Sequence, residues 1–201
     1  MSRNARSRHA RLLALTTALT LVLTAQHAAA ADKMKATAEL KGCEDSAVRG
    51  TATLVEESTA EGIKTVSVDM TIEGLPDGQH AVHIHQTGKC EPCGAAGGHH
   101  DPGPFGEPRP DTASEEVPAS DINHPFHMGD LVNIDVKNGK GRMRHTTNRV
   151  TLSSGRLSIL DEDGSAFIVH TEPDTYCDRE TELRKGCAGG ARAACGVIRK
   201  Q

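Results

Sequence analysis

Runs in which apolar residues recur at every second position fill the chain from Lys35 onward, and that period constrains its fold more than any other feature. "KATAELK", "GTATLVEE", "IKTVSVDMTI" and "GQHAVHIH" are short and rich in Val, Ile and Thr, as strands with one buried face are. "STAEG" and "GLPDG" between them supply the Gly, Pro and Asp of tight reversals, which makes neighbouring strands antiparallel. Strand signals return in "LVNIDV", in "GRMRHTT" after the Asn138-Gly139 turn, and in "RVTLS", "SAFIVH" and "AACGVI". No stretch of the mature region carries a convincing helical period. About eight such strands predict an all-β fold, an eight-stranded antiparallel Greek-key barrel or sandwich.

Two long loops interrupt the pattern. Between Gly88 and Asp130 stand Gly94, Gly97, Gly98, Gly103 and Gly106, with Pro92, Pro102, Pro104, Pro108 and Pro110 ahead of "EEVPASD". A second polar, Gly-rich loop runs from Thr171 to Arg192. Loops of such length in a compact domain are usually functional or disordered. Seven of the eleven histidines fall between His80 and His127, which favours function.

The first 31 residues read as an export signal, set apart from the domain of residues 32–201. Arg3, Arg6, Arg8 and Arg11 form a basic leader, Leu12 to Ala25 is apolar, and small residues suited to cleavage follow near Ala30 or Ala31. The apolar run is too short to span a bilayer. With neither a lipobox cysteine nor paired arginines, ordinary Sec-type cleavage is expected over a lipoprotein or an uncleaved anchor. Of the 201 residues, 170 then remain, and loss of four arginines without an acid takes the formal charge from −4 to −8. So acidic a domain would be repelled by nucleic acid and by anionic membrane. The expected location is periplasmic or extracellular.

All six cysteines, Cys43, Cys90, Cys93, Cys177, Cys187 and Cys195, follow the leader, and an even number in an oxidising compartment predicts disulfides. Covalent staples suit a mature chain without Trp, whose aromatic residues are Tyr176, Phe105, Phe126 and Phe167. "CEPC" as half of a structural zinc site is the weaker reading, because no second C-x-x-C completes four thiolates.

Side chains two apart on a strand share a face, so His83 and His85 point together while Ile84 points to the opposite layer. They form a ready pair of metal ligands beside a histidine-rich loop. His80, an odd count away, faces elsewhere and is expected to be structural. Downstream lie "GGHHDP" with His99 and His100, "HPFHMGD" with His124, His127 and Asp130, and "FIVH" ending in His170. Imidazoles without thiolate suit copper, and imidazoles with one carboxylate suit zinc.

"HAVHIHQTGKC", "GGHHDP", "HMGDL", "FIVHTEPD" and "GGARAACGVI", in that order across the mature region, resemble the copper,zinc superoxide dismutases of the bacterial exported type. The resemblance implies copper ligands at His83, His85, His99 and His170. His99 would be shared with zinc, whose other ligands would include His127 and Asp130. One departure stands out: where the family has a further zinc histidine, "FGEP" places Phe105, which cannot ligate. His124 is the expected replacement, His100 a weaker candidate, and a site with three protein ligands the alternative. Asp174 matches the family's carboxylate that orients histidines of both sites, and Arg192 matches its anion-docking arginine. Cys90 and Cys195 match its disulfide. Of the three pairings open to the other cysteines, Cys43 with Cys93 and Cys177 with Cys187 is the one expected.

The implied reaction is disproportionation of superoxide to oxygen and hydrogen peroxide, with copper as the redox metal and His99 also carrying a proton. Because the substrate is an anion, Arg184, Lys185 and Arg192 are candidates for correcting the negative field near the site, opposed by Glu180 and Glu182. Two other classes compete: an exported copper- and zinc-binding protein without turnover, and a disulfide-stapled structural barrel. Members of the family occur as dimers and as monomers, so the resemblance admits a homodimer without requiring one.

Overall fold

The computed structural model describes residues 33–44, 46–102, 126–176 and 187–201, all within one compact unit. The expectations for the leader, Phe105, His124, Cys177, Arg184 and Lys185 fall outside the described residues.

The strands are β1 (Met34–Gly42), β2 (Arg49–Ser58), β3 (Lys64–Glu73), β4 (Gly78–His80), β5 (Val82–His85), β6 (Ile134–Lys137), β7 (Lys140–Thr147), β8 (Ala166–His170), β9 (Arg192–Val197) and β10 (Arg199–Lys200). All named strand pairs are antiparallel. The sheet order is β4-β6-β7-β3-β2-β1-β9-β8-β5, with β10 beside β1. Only Ala81 separates β4 from β5, so one continuous stretch supplies both ends of that order and closes the sheet into a barrel. Counting β4 with β5, and β10 with β9, recovers the eight strands expected from the sequence. The links from β3 to β4 and from β7 to β8 join strands that are not neighbours, as a Greek key requires.

Period-two alternation is what fills the barrel. Ala36, Ala38, Leu40, Ala52, Leu54, Val66, Val68, Met70 and Ile72 point inward around Phe167, the largest fully buried side chain among the described residues. On the outer face, Thr51 and Thr71 hydroxyls meet at 3.2 Å, and Asp69 accepts from Arg142 and Arg144. Such cross-strand pairs specify register at small energetic gain.

"RVTLS" departs from expectation. It is not a strand but part of an irregular segment with one isolated bridge, Thr151 to Ser158. Its apolar residues plug the barrel, with Val150 and Leu152 buried, while the backbone N–H groups of Leu152 and Ser153 donate to the buried Glu56 carboxylate at 2.6 and 2.9 Å. That carboxylate satisfies donors a neighbouring strand would otherwise have taken.

Strands β5 and β8 are buried along their whole length. One face meets the core through Val82, Ile84, Phe167 and Val169. The other carries His83 and His85 and lies beneath the loops.

Candidate metal centre

Strand geometry does the first assembly. His83 and His85 leave the same face of β5, and β5 pairs with β8 in a register that continues to His170. A register shift between Val169 and His170 sets His170 opposite Arg192 on β9.

The histidine-rich loop contributes through its two limbs, both of which dock on the free edge of β5. Gln86 N–H donates to Gly98 O at 3.0 Å, His100 N–H to Ile84 O at 2.8 Å, and Ile84 N–H to Gly129 O at 2.9 Å. Bridges pair His85 with His99 and His83 with Asp130. Gly129 permits this approach, because a Cβ there would lie 2.2 Å from Ile84 O.

Two groups of ligand-bearing residues result: His83, His85, His99 and His170, and His99, His127 and Asp130. Within each group the ligand atoms lie within 4.8 Å of one another. His99 belongs to both. Hydrogen bonds decide which nitrogen of each ring faces inward. His85 Nδ1 lies 2.9 Å from Gly97 O and His170 Nδ1 3.0 Å from Gly190 O. A carbonyl only accepts, so both Nδ1 atoms carry the proton and each Nε2 keeps a lone pair. His83 Nε2 lies 2.9 Å from Asp174 Oδ2, which leaves the lone pair on Nδ1, 3.2 Å from His170 Nε2. His99 Nδ1 lies 2.6 Å from Asp130 Oδ1, so its Nε2 is left for the four-histidine group.

Lone pairs that converge repel unless a proton or a cation lies among them. Burial, foremost, holds His99 down to about 4 and His170 down to about 3, and drives His85 lower still. At neutral pH these rings are therefore uncharged, and His85 Nε2, buried, has no hydrogen-bond partner. A cation is the species that satisfies them. Four imidazoles fit copper, and two imidazoles with a carboxylate fit zinc with three protein ligands described, His99 serving both once the proton between its Nδ1 and Asp130 is displaced.

Asp130 Oδ2 accepts from the His127 backbone N–H at 2.9 Å, with His127 Nδ1 3.3 Å away. His100 is buried but belongs to neither group. His80 stays outside the cluster, its ring between Pro76 O and the backbone carbonyl of His170, each at 3.0 Å. Asp174 Oδ1 accepts from the Tyr176 N–H at 2.7 Å, which fixes the carboxylate facing His83.

Arg192 donates from Nη1 to Cys93 O at 2.6 Å and from Nη2 to Gly97 O at 2.5 Å. Two of its five N–H donors are thereby used and three remain. Burial lowers its pKa, but from so high a starting value that it stays charged. Gly97 O accepts from both Arg192 Nη2 and His85 Nδ1, which places the guanidinium beside the four-histidine group.

Disulfides join Cys90 to Cys195 and Cys43 to Cys93. Cys187 is also disulfide-bonded. Residue patterns could not reveal the backbone acceptors at Gly97, Gly190 and Cys93, nor the Arg149 side chain that donates to His127 O. A carbonyl leaves no signature in sequence; the glycines of "GAAGG" and "CAGG" were the only hint.

A family model described as copper/zinc superoxide dismutase matches residues 48–198. A superoxide dismutase [Cu-Zn] of Aquifex aeolicus is 33% identical over 173 residues, 83% of this chain and 87% of the relative. The extracellular superoxide dismutase [Cu-Zn] of Drosophila melanogaster is 31% identical over 158 residues, 77% of each chain. Among solved structures, that of the clock protein EA4 superposes with a TM-score of 0.59 at 29% identity, covering 82% of this chain and 92% of that one. With the fold, the two ligand groups and the sequence match in agreement, the chain belongs to the copper/zinc superoxide dismutase family.

Proposed function

We propose that this chain is an exported enzyme that converts two superoxide anions and two protons to oxygen and hydrogen peroxide, with His83, His85, His99 and His170 holding copper and His99, His127 and Asp130 holding zinc. The observation that carries the reading is the convergence of four imidazole nitrogens within 4.8 Å of one another, each ring aimed by a hydrogen bond on its far side. Copper, when bound, supplies a one-electron couple that accepts an electron from one superoxide and gives it to the next, while zinc supplies a fixed positive charge.

The chain's own groups dock the substrate and handle the protons. Arg192 keeps N–H donors beyond the two bound to Cys93 O and Gly97 O, and its charged fork can dock a small anion at the edge of the four-histidine group. His99 has one nitrogen held by Asp130 and the other facing that group, so its Nε2, whenever released from the metal, would be free to take a proton and deliver it to the reduced substrate. Asp174 holds the His83 ring and its tautomer. His124 is the candidate fourth zinc ligand, and Arg184 and Lys185 are candidates for steering. Export rests on the leader of residues 1–31 and on the disulfides, and no described helix is long and apolar enough to cross a membrane.

Metal content measured together with superoxide removal tests the proposal. Wild-type protein is expected to hold copper and zinc and to remove superoxide. His85→Ala and His170→Ala are expected to lose copper and activity together. Copper bound without turnover would favour a metal-binding protein, and absence of both a structural barrel.

A further inference from the structure

We infer that the Cys43–Cys93 disulfide is a positioning device for Arg192, holding in place the carbonyl groups on which the guanidinium rests; this goes further than, and rests on, the reading of Arg192 as the anion-docking residue. The two carbonyls, Cys93 O and Gly97 O, bracket the single 3-10 turn among the described residues, Cys93–Ala96. That turn belongs to a loop, and a loop carbonyl holds an arginine only as firmly as the loop itself is held.

The structure holds it by a closed ring of bonds. Arg192 is joined through its peptide bond to Ala193. Ala193 O accepts from the Cys43 N–H at 2.9 Å. Cys43 is bonded through sulfur to Cys93, and Cys93 O accepts from Arg192 Nη1. The ring returns to the residue it started from, so displacing the guanidinium from Cys93 O requires moving the end of β1 or breaking a bond. Register supports the same geometry, because β1 and β9 pair through Lys41 with Cys195 and Gly42 with Ala194 immediately before the ring begins.

The neighbouring disulfide does not do this work alone. Cys90–Cys195 ties the loop three residues earlier and joins it to β9, while Cys43–Cys93 fixes the residue whose carbonyl accepts. Gly97 O carries the coupling onward, since it also accepts from His85 Nδ1 at 2.9 Å. Arg192 and the His85 ring thus share one acceptor.

The test is azide binding to the copper- and zinc-loaded protein, read by optical titration, in wild type, Cys43→Ala/Cys93→Ala, Arg192→Ala and the triple variant. Alanine suits the apolar surroundings of Ala96, Ala166 and Ile168, and Cys43→Val/Cys93→Ala refills the volume if the first variant is unstable. The disulfide-free protein is expected to bind azide roughly fivefold to tenfold more weakly, the worth of one hydrogen bond of ordinary strength. The triple variant is expected to match Arg192→Ala. Unchanged azide affinity in a folded disulfide-free variant, or effects that add in the triple variant, would overturn the inference. If Arg192→Ala alone leaves azide binding unchanged, the docking role fails instead.

A second readout bypasses azide. In the copper(I), zinc-loaded protein the Arg192 Nη1 and Nη2 signals are expected to be separate by NMR, since each is held by its own carbonyl, and to merge in the disulfide-free variant. Should neither variant fold, wild-type protein reduced and alkylated at Cys43 and Cys93, with Cys90–Cys195 intact by peptide mapping, supplies the same comparison. Separate signals retained there would overturn the inference as well.

Discussion

A histidine serves best as a ligand when its other nitrogen is spoken for, and every ring of the four-histidine group has such a partner. Two of the partners are backbone carbonyls and two are carboxylates. Asp174 is the one that can be altered without disturbing the backbone. It is 2% exposed, accepts from His83 Nε2 and is itself fixed by the Tyr176 N–H. In Asp174→Asn the volume stays and the charge goes, and the amide can turn its NH₂ toward His83, which favours the wrong tautomer. Copper affinity, measured by competition with a chelator, is expected to fall about 10- to 100-fold, the usual effect of removing an orienting partner. Unchanged affinity would mean that β5 alone orients the ring. His83 and His85 were legible in the sequence as a candidate ligand pair because period two sets them on one face, while His99 and His170 joined them only through the resemblance of their motifs to the family's. The tautomers were not legible, since Gly97 O and Gly190 O act through backbone position and not through residue type.

Among the elements, β5 carries the most, because one edge pairs with β8 while the other receives both limbs of the loop. The zinc-side limb reaches that edge only where Gly129 has no side chain. Gly129→Ala would set a Cβ 2.2 Å from Ile84 O, and backbone on both sides leaves no flexible atom to yield. The limb must lift, taking His127 and Asp130 with it, while His83, His85 and His170 keep their strand positions. Zinc affinity is expected to fall well before copper affinity, with a stability loss of about 1–3 kcal/mol. Equal loss of both metals would show that the two sites collapse as one. The same element explains why the eight strands were readable but their closure was not. Alternation marks "GQHAVHIH" as a single strand, yet nothing in it says that its two halves pair with β6 and β8 at opposite ends of the sheet. "RVTLS" misleads for a related reason: its alternation reflects Val150 and Leu152 turned into the barrel end, and its N–H groups go to Glu56 in place of a strand partner.

Across the whole molecule, metal binding and stability are linked through protons. In the metal-free protein His85, His99, His100 and His170 are all held below the ordinary histidine value of 6.5, foremost by burial. The unfolded chain protonates them as pH falls below about 6.5, and the folded chain does so only near 4 for His99 and His100 and near 3 for His170. Folded pKa values below unfolded ones mean that stability is complete above about pH 6.5 and declines as pH falls toward the folded values. Each such histidine costs up to about 1.4 kcal/mol per pH unit in that window, so several together rival the 5–15 kcal/mol that holds a typical domain. Two disulfides that close loops of 50 and 105 residues offset part of this, at about 4 and 5 kcal/mol by the chain-entropy relation. Asp69, drawn down to about 2 chiefly by its hydrogen bond to Arg142, acts only at lower pH and leaves the window clear. The urea midpoint of metal-free protein is therefore expected to drop steeply between pH 6.5 and 4.5. Bound copper and zinc should flatten that slope until acid displaces them, because a ligated nitrogen accepts no proton. A midpoint in metal-free protein that stays level across those two pH units would mean that the buried imidazoles titrate alike in folded and unfolded chains, and that the lone pairs at the centre are not held open for a cation.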